Sequence, residues 1–306
     1  MRSPLLVTFA LAAANVLVAL LLAPLAEGIM RKLKAIVHSR TGPPVTQPYL
    51  DLLKLLGKED LRTGESGGVY ALAPALTLAS VLLLATLVPL GGAPPLGFAG
   101  DLIVVIYVAT TSAVLLILTS FASGSPYASV GGSREMMMLL AVEPVLAVAL
   151  VVGAVKAGSL SLGAMLEWNA ANGPTISMAI AAVALFLALQ ALSGKLPFDI
   201  PEADQELMGG TLIEQSGPRL ALFRLALWVK QLAFAVLLVQ LFVPWPHVGI
   251  LAVDAVLTLL KATVVLVLVG VIDVVNPRLR IEQAMGYYMR VGLSALSALA
   301  FAVIGM

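Results

Sequence analysis

Long apolar runs separated by short polar segments dominate the chain. The runs at 4–26, 70–90, 102–122, 136–156, 175–193, 220–243, 249–272 and 283–305 are each mainly apolar over about 20 residues, the length a helix needs to cross the hydrocarbon core of a bilayer. Eight such stretches predict an all-α, polytopic integral membrane protein, a single transmembrane domain over residues 1–306. A membrane β-barrel would instead alternate apolar and polar positions within segments of about ten residues. Stretches such as Val81-Leu82-Leu83-Leu84 and Val264 to Val269 are apolar at every position. Arg2 ahead of the first run has the look of a signal peptide, but the run is too long and no small-residue cleavage site precedes Glu27. It reads as a retained helix.

The polar segments are unequal. Those after the second and sixth runs, Pro89 to Gly100 and Val243 to Gly249, are short and rich in Gly and Pro. The first is long. It runs from Glu27 through Arg31, Lys32 and Lys34 to the constrained turn Arg40-Thr-Gly42-Pro43-Pro44, then Gln47-Pro48. Tyr49 to Leu61 follows with Leu50, Leu53 and Leu56 on one helical face and Asp51, Lys54, Lys58 and Glu59 elsewhere, the pattern of an amphipathic helix lying in the interface plane. The fifth segment carries Lys195, then Pro197-Phe198-Asp199-Ile200-Pro201-Glu202-Ala203-Asp204-Gln205-Glu206-Leu207, then Glu214. Five carboxylates fall within 16 positions there. Pro201 suits the first turn of a short helix. Crowding of Glu202, Asp204 and Glu206 is expected to raise some of their pKa values, and acids clustered in this way can pass protons along a hydrated path.

Composition narrows the function. Of 306 residues, 60% are hydrophobic and 11% charged, too few charges to cover a soluble globule. A balance of 18 basic against 17 acidic residues argues against a general nucleic-acid binder. With no Cys and only His38 and His247, the chain has no thiolate for a disulfide or an iron–sulfur cluster, and no metal site is expected. Any redox chemistry it serves belongs to other chains or to a bound small molecule. Thirteen Lys and Arg fall in segments one, three, five and seven, against Arg2 and Lys156 in the others. The positive-inside rule then places the long loops in the cytoplasm and both termini outside.

Ionisable residues also lie within the runs: Glu143, Lys230, Asp254, Lys261 and Arg290, with Glu135 at the start of the fourth. At mid-bilayer each costs about 2.5–3.5 kcal/mol even on a lenient insertion scale, so they are expected to face the bundle interior. Structural ion pairs between helices are the plain reading, and an ion path is the functional one. Asp254 and Lys261 lie two turns apart on one helix face and could bracket a polar cavity. Glu143, beside Pro144 in an apolar run, is the candidate proton carrier.

The eight runs, the Arg40-x-Gly42-Pro43 turn with Gln47-Pro48 and the Pro197-Phe-Asp-Ile-Pro-Glu-Ala-Asp-x-Glu-Leu motif resemble the eight-helix membrane subunit of respiratory complex I. Ser133-Arg134-Glu135-Met136-Met137 with Glu143-Pro144 is similar to the branch in membrane-bound nickel–iron hydrogenases and formate hydrogenlyases. The resemblance implies a coupling subunit without its own redox centre, in a proton- or sodium-translocating complex of the prokaryotic inner membrane. It implies peripheral hydrogenase-like large and small subunits, which hold the iron–sulfur clusters and the nickel–iron centre, docked at Arg31, Lys32, Arg40, Gly42, Pro43, Gln47 and Pro48. Antiporter-like membrane subunits would be further partners. By the same resemblance a proton relay falls on Glu143, Asp199, Glu202, Asp204, Glu206 and Glu214. Two other readings stay open: a quinone-site subunit of a complex I NADH dehydrogenase, and a stand-alone ion or solute carrier, against which the missing internal repeat speaks.

Overall fold

The computed structural model describes residues 4–61, 67–92, 94–98 and 100–305, with the side chains of Pro4, Leu5 and Asp204 left out. Arg2, Arg62 and the Asp204 carboxylate therefore lie outside the described residues. Eleven α-helices are present among those described: α1 (Pro4–Val37), α2 (Gln47–Leu56), α3 (Gly68–Leu87), α4 (Asp101–Ala122), α5 (Pro126–Ala157), α6 (Leu162–Asn172), α7 (Ile176–Leu192), α8 (Asp204–Leu207), α9 (Gly217–Phe242), α10 (Leu251–Val275) and α11 (Ile281–Ile304). Seven of them are long and apolar enough to cross a membrane, and α7 is a shorter apolar helix in the remaining expected position. The chain is a polytopic membrane protein.

Two helices overrun their apolar cores. α1 continues to Val37, so Glu27, Arg31 and Lys34 belong to a helix and not to the first loop. The Glu27–Arg31 pair one turn apart (3.1 Å) supports that extension. α5 opens at Pro126 behind Ser125 and ends at Gly158, whose φ of 63° closes it. Arg134 and Glu135 thus sit in the helix body. Gly131-Gly132 is helical as well.

α6 was not expected. Its Leu162, Met165 and Asn169 are buried at i, i+3 and i+7, a period legible in the sequence but shorter than a span. Its start is held by the Asp101 carboxylate, which accepts from the Leu162 N–H at 2.6 Å. Its far end is tied to α9 through the Asn169 amide on the Leu241 carbonyl.

α9 is the axis of the bundle. It is buried over 83% of its apolar window and contacts α1, α3, α7 and α10. α5 and α7 pack together and share α11 as a neighbour. Arg219 and Lys230 of α9 are consequently buried and Glu135 and Glu143 of α5 half-buried, whereas α1, α10 and α11 keep broad exposed faces.

Candidate functional site

At the end of the bundle that carries the basic residues, the segment between α7 and α9 folds over the helix ends. The reason is local. Two prolines stiffen its start, Phe198 and Ile200 are buried, and Ala203 is fully buried. Phe198 stacks on Tyr287 and Tyr288 of α11, with ring centroids 5.3 and 4.8 Å away. A three-residue 3-10 turn, Gly210–Leu212, then lies on α5. A side chain on Gly131 would meet Gly210 and Thr211 backbone at 2.7–2.9 Å, and one on Gly210 (φ 49°) would overlap the Pro201 carbonyl. Both glycines are needed for the close approach.

This segment does not line up its acids as one chain of carboxylates. Asp199 pairs with Arg278 at 2.8 Å. Glu206 accepts from Arg134 at 2.8 Å, and that guanidinium holds its carboxyl below the ordinary value. Crowding would have raised it, so the expectation is corrected for Glu206: α5 supplies a cation. Glu214 presents its backbone carbonyl to the Tyr70 hydroxyl of α3. Glu202 is half-buried.

Glu202 and Gly194 line all three cavities of this region. The largest, about 410 Å³, has Glu27, Arg31, Lys195 and Arg224 in its wall. A second, of about 240 Å³, reaches Lys34 and Asp273. The third, of about 60 Å³, runs inward past Asp199 to Glu135 and Lys230, and has room for roughly four waters at about 15 Å³ each. The Lys230 ammonium in turn lies within Coulombic range of both Glu135 and Glu143. Eight residues apart on α5, those two acids share a single cation from α9.

The sequence reading missed the ion-pair network beneath the segment. Lys195 Nζ lies 3.1 and 3.0 Å from the two oxygens of the buried Glu27. Arg31 bridges Glu27 (3.1 Å) and Asp51 of α2 (2.8 Å), and Gln47 donates to Asp51 at 3.0 Å. Asp273 of α10 accepts from Lys34 (3.0 Å) and from the Leu196 N–H (2.9 Å). Burial pushes the Lys195 ammonium down, but Glu27, Asp273 and Glu202 outweigh it and hold it above its ordinary value. Burial likewise pushes the Asp51 carboxyl up, and Gln47 and Arg31 reverse that to a value below the usual one. The signal available in the sequence was Glu27 itself, the only acid within or beside the first apolar run.

The expected docking residues divide. Arg31, Gln47 and Pro48 are committed inward, Pro48 being buried. Lys32 donates to the Thr41 carbonyl. Arg40, Gly42 and Pro43 are exposed in the turn, as are Leu50, Leu53 and Leu56 on α2.

At the opposite end Asp254 and Lys261 do share a cavity, of about 250 Å³, with His247 and Gln240. Their immediate partners are backbone groups. Lys261 Nζ donates to the Val243, Pro244 and Trp245 carbonyls (2.9, 3.1 and 3.3 Å) of the segment that follows α9. Asp254 accepts from the Val248 and Gly249 N–H groups, with His247 at 3.3 Å. Arg290 is exposed on α11, which corrects the expectation that every ionisable residue within a run faces inward.

An eight-position helical bundle with an acid-bearing cap folded over one end, and acids leading from that cap to its axis, defines a class. The family model described as NADH dehydrogenase matches residues 9–304, and the chain belongs to that family, complex I subunit 1/H. It is 37% identical over 279 residues to hydrogenase-4 component C of Escherichia coli (strain K12), covering 88% of this chain and 87% of the relative. Formate hydrogenlyase subunit 4 of the same organism is 34% identical, covering 84% of each chain. NADH-quinone oxidoreductase subunit 8 of Thermus thermophilus is 32% identical, covering 70% of this chain and 63% of the relative. Among solved structures, a chain of the membrane-bound sulfane sulfur reductase, an archaeal respiratory membrane complex, superposes with a TM-score of 0.88 at 26% identity, covering 96% of this chain and 99% of that one.

Proposed function

We propose that this chain is the membrane-anchoring and coupling subunit of a hydrogenase-type oxidoreductase complex, turning redox events at the cap into proton or sodium movement. The carrying observation is the position of Glu202, in the wall common to three cavities that lead from the Glu27–Lys195 network to Glu135 and Lys230. Identities of 37% and 34% to subunits of hydrogenase-4 and formate hydrogenlyase support the branch. The basic end, with Arg40 and the α2 leucines exposed, would be cytoplasmic and would receive peripheral iron–sulfur and hydrogenase-like subunits. Antiporter-like subunits would join within the bilayer.

The residues of this chain do not fit an iron–sulfur or nickel–iron centre. It has no Cys, and among the described residues no three His, Asp or Glu cluster as metal ligands. Such centres belong to the partners. What this chain contributes is a hydrated wall of fixed charges: a change of charge beside Glu202 alters its balance with Lys195, and the waters of the inner cavity connect that change to the Glu135–Lys230–Glu143 group.

The test is the purified complex reconstituted in vesicles, comparing Glu202→Gln, Lys230→Met and Glu143→Gln. Ion movement per electron transferred is expected to fall severalfold in each while subunit content stays constant. Full coupling in all three would refute the relay. The quinone reading draws on the roughly 410 Å³ chamber, a volume in the range of small-molecule pockets. Five charged side chains in its wall suit water and ions better than an isoprenoid tail.

A further inference from the structure

α10 and α11 are equally little buried within this chain, at 28% of their apolar windows, yet their mean hydropathies are 2.6 and 1.5. A helix that meets lipid on most of its surface should resemble α10. α11 has the lowest hydropathy of the seven spanning helices. Part of its polarity is outside: Gln283, Arg290 and Ser297 are exposed on one stripe with Gly286, Leu293 and Ala300, spaced three and four apart, beside the exposed apolar Met289 and Leu296.

Arg290 is the centre of that face. It is nine residues into the helix, about 13 Å along the axis at about 1.5 Å per residue, within the apolar run 283–305 that reads as a span. Among the described residues its guanidinium reaches only the Gly286 carbonyl of its own helix, at 3.2 Å. An arginine held there against lipid tails is costly, and such residues almost always meet a counter-charge or a water-filled cavity. The flanking Gly286, Ser297 and Ala300 are the residue types that let a second helix approach closely, a property of no use against acyl chains.

We infer that this face of α11 is the docking surface for a transmembrane helix of a partner subunit that carries a carboxylate at the depth of Arg290. Charge complementarity selects the occupant. The small residues select a helix over a lipid headgroup, which would need only the arginine. The chains this protein resembles are subunits of multi-subunit membrane complexes, so such helices are at hand. The inference is independent of the proton relay, because it uses none of the same residues.

The chain has no Cys, so Ser297→Cys creates its one thiol. Labelled with a maleimide–benzophenone in the purified complex and illuminated, it is expected to crosslink to a transmembrane segment of another subunit of that complex, with Asp or Glu within about one turn of the Arg290 level. Adducts with lipid or detergent alone, or with a segment lacking a carboxylate, would overturn the proposal. Independently, Arg290→Glu should strip the crosslinked subunit from the purified complex at least tenfold, Arg290→Lys should retain it, and replacing the partner's carboxylate by Lys should restore it in the Arg290→Glu background. Parental subunit stoichiometry in both Arg290→Glu and Arg290→Leu would equally refute it.

Discussion

Glu27→Gln removes the one negative charge that faces both Lys195 and Arg31. Glu27 has 6% of its side chain exposed and Lys195 24%, so the pair is largely out of water while Arg31 keeps Asp51 as a second partner. Leaving one member of a buried pair without its counter-charge costs about 3–5 kcal/mol. The quarter exposure of Lys195 screens part of this, leaving roughly 2–3 kcal/mol. For a chain of this size that corresponds to a fall of about 3–5 °C in unfolding midpoint, measured at one fixed scan rate on the detergent-solubilised protein. Replacing both members, Glu27→Gln with Lys195→Met, removes the stranded charge as well, and should recover at least half of the loss. A double variant no more stable than the single one, or a single variant as stable as the parent, would refute the view that Glu27 clamps the cap to α1.

Other consequences follow from single contacts. Gly210→Ala puts a Cβ against the Pro201 carbonyl at a φ of 49° and should destabilise the cap by roughly 2–4 kcal/mol, read as increased proteolysis between α7 and α9. The Asp51 carboxyl has a folded pKa below its ordinary 3.8; its contribution is therefore complete above that value and lost as pH falls through the lower one. With Trp168 and Trp245 replaced by Phe, emission of Trp228, 5.6 Å from the Arg31 guanidinium, should hold constant from pH 7 to about 4 and change below it, and Asp51→Asn should abolish the change. Lys261→Met should lower stability by about 1–3 kcal/mol through the carbonyls beyond α9 that it leaves without a donor and leave ion coupling per electron unchanged. Lost coupling at unchanged stability would instead make it part of an ion path.

Much of the fold is legible in the sequence because the bilayer imposes a single simple rule, about 20 apolar residues per crossing. What that rule reads is the apolar core of a helix, not its ends. α1 runs 11 residues past the expected boundary and α5 starts ten residues before it, since charged turns continue a helix wherever an i,i+4 pair or a neighbouring helix satisfies them. Hydropathy therefore assigned Glu27, Arg31 and Arg134 to loops and hid what they do. α6 escaped because 11 residues cannot span, and its burial depends on Asp101 and Leu241, contacts more than 60 positions away.

The candidate site shows the same division. Residue types were readable, but partners were not, because each decisive pair is long-range: Glu27 with Lys195, Asp199 with Arg278, Arg134 with Glu206. A cluster of acids in one segment suggested a wire of neighbouring carboxylates. The fold instead pairs Glu206 with Arg134 of α5 and Asp199 with Arg278 of the α10–α11 connection, and places Glu202 in the wall of the cavities. Those two ion pairs hold the cap on the helix ends, and with it the wall in which Asp199 and Glu202 lie between the surface network and the Lys230 group at the bundle axis.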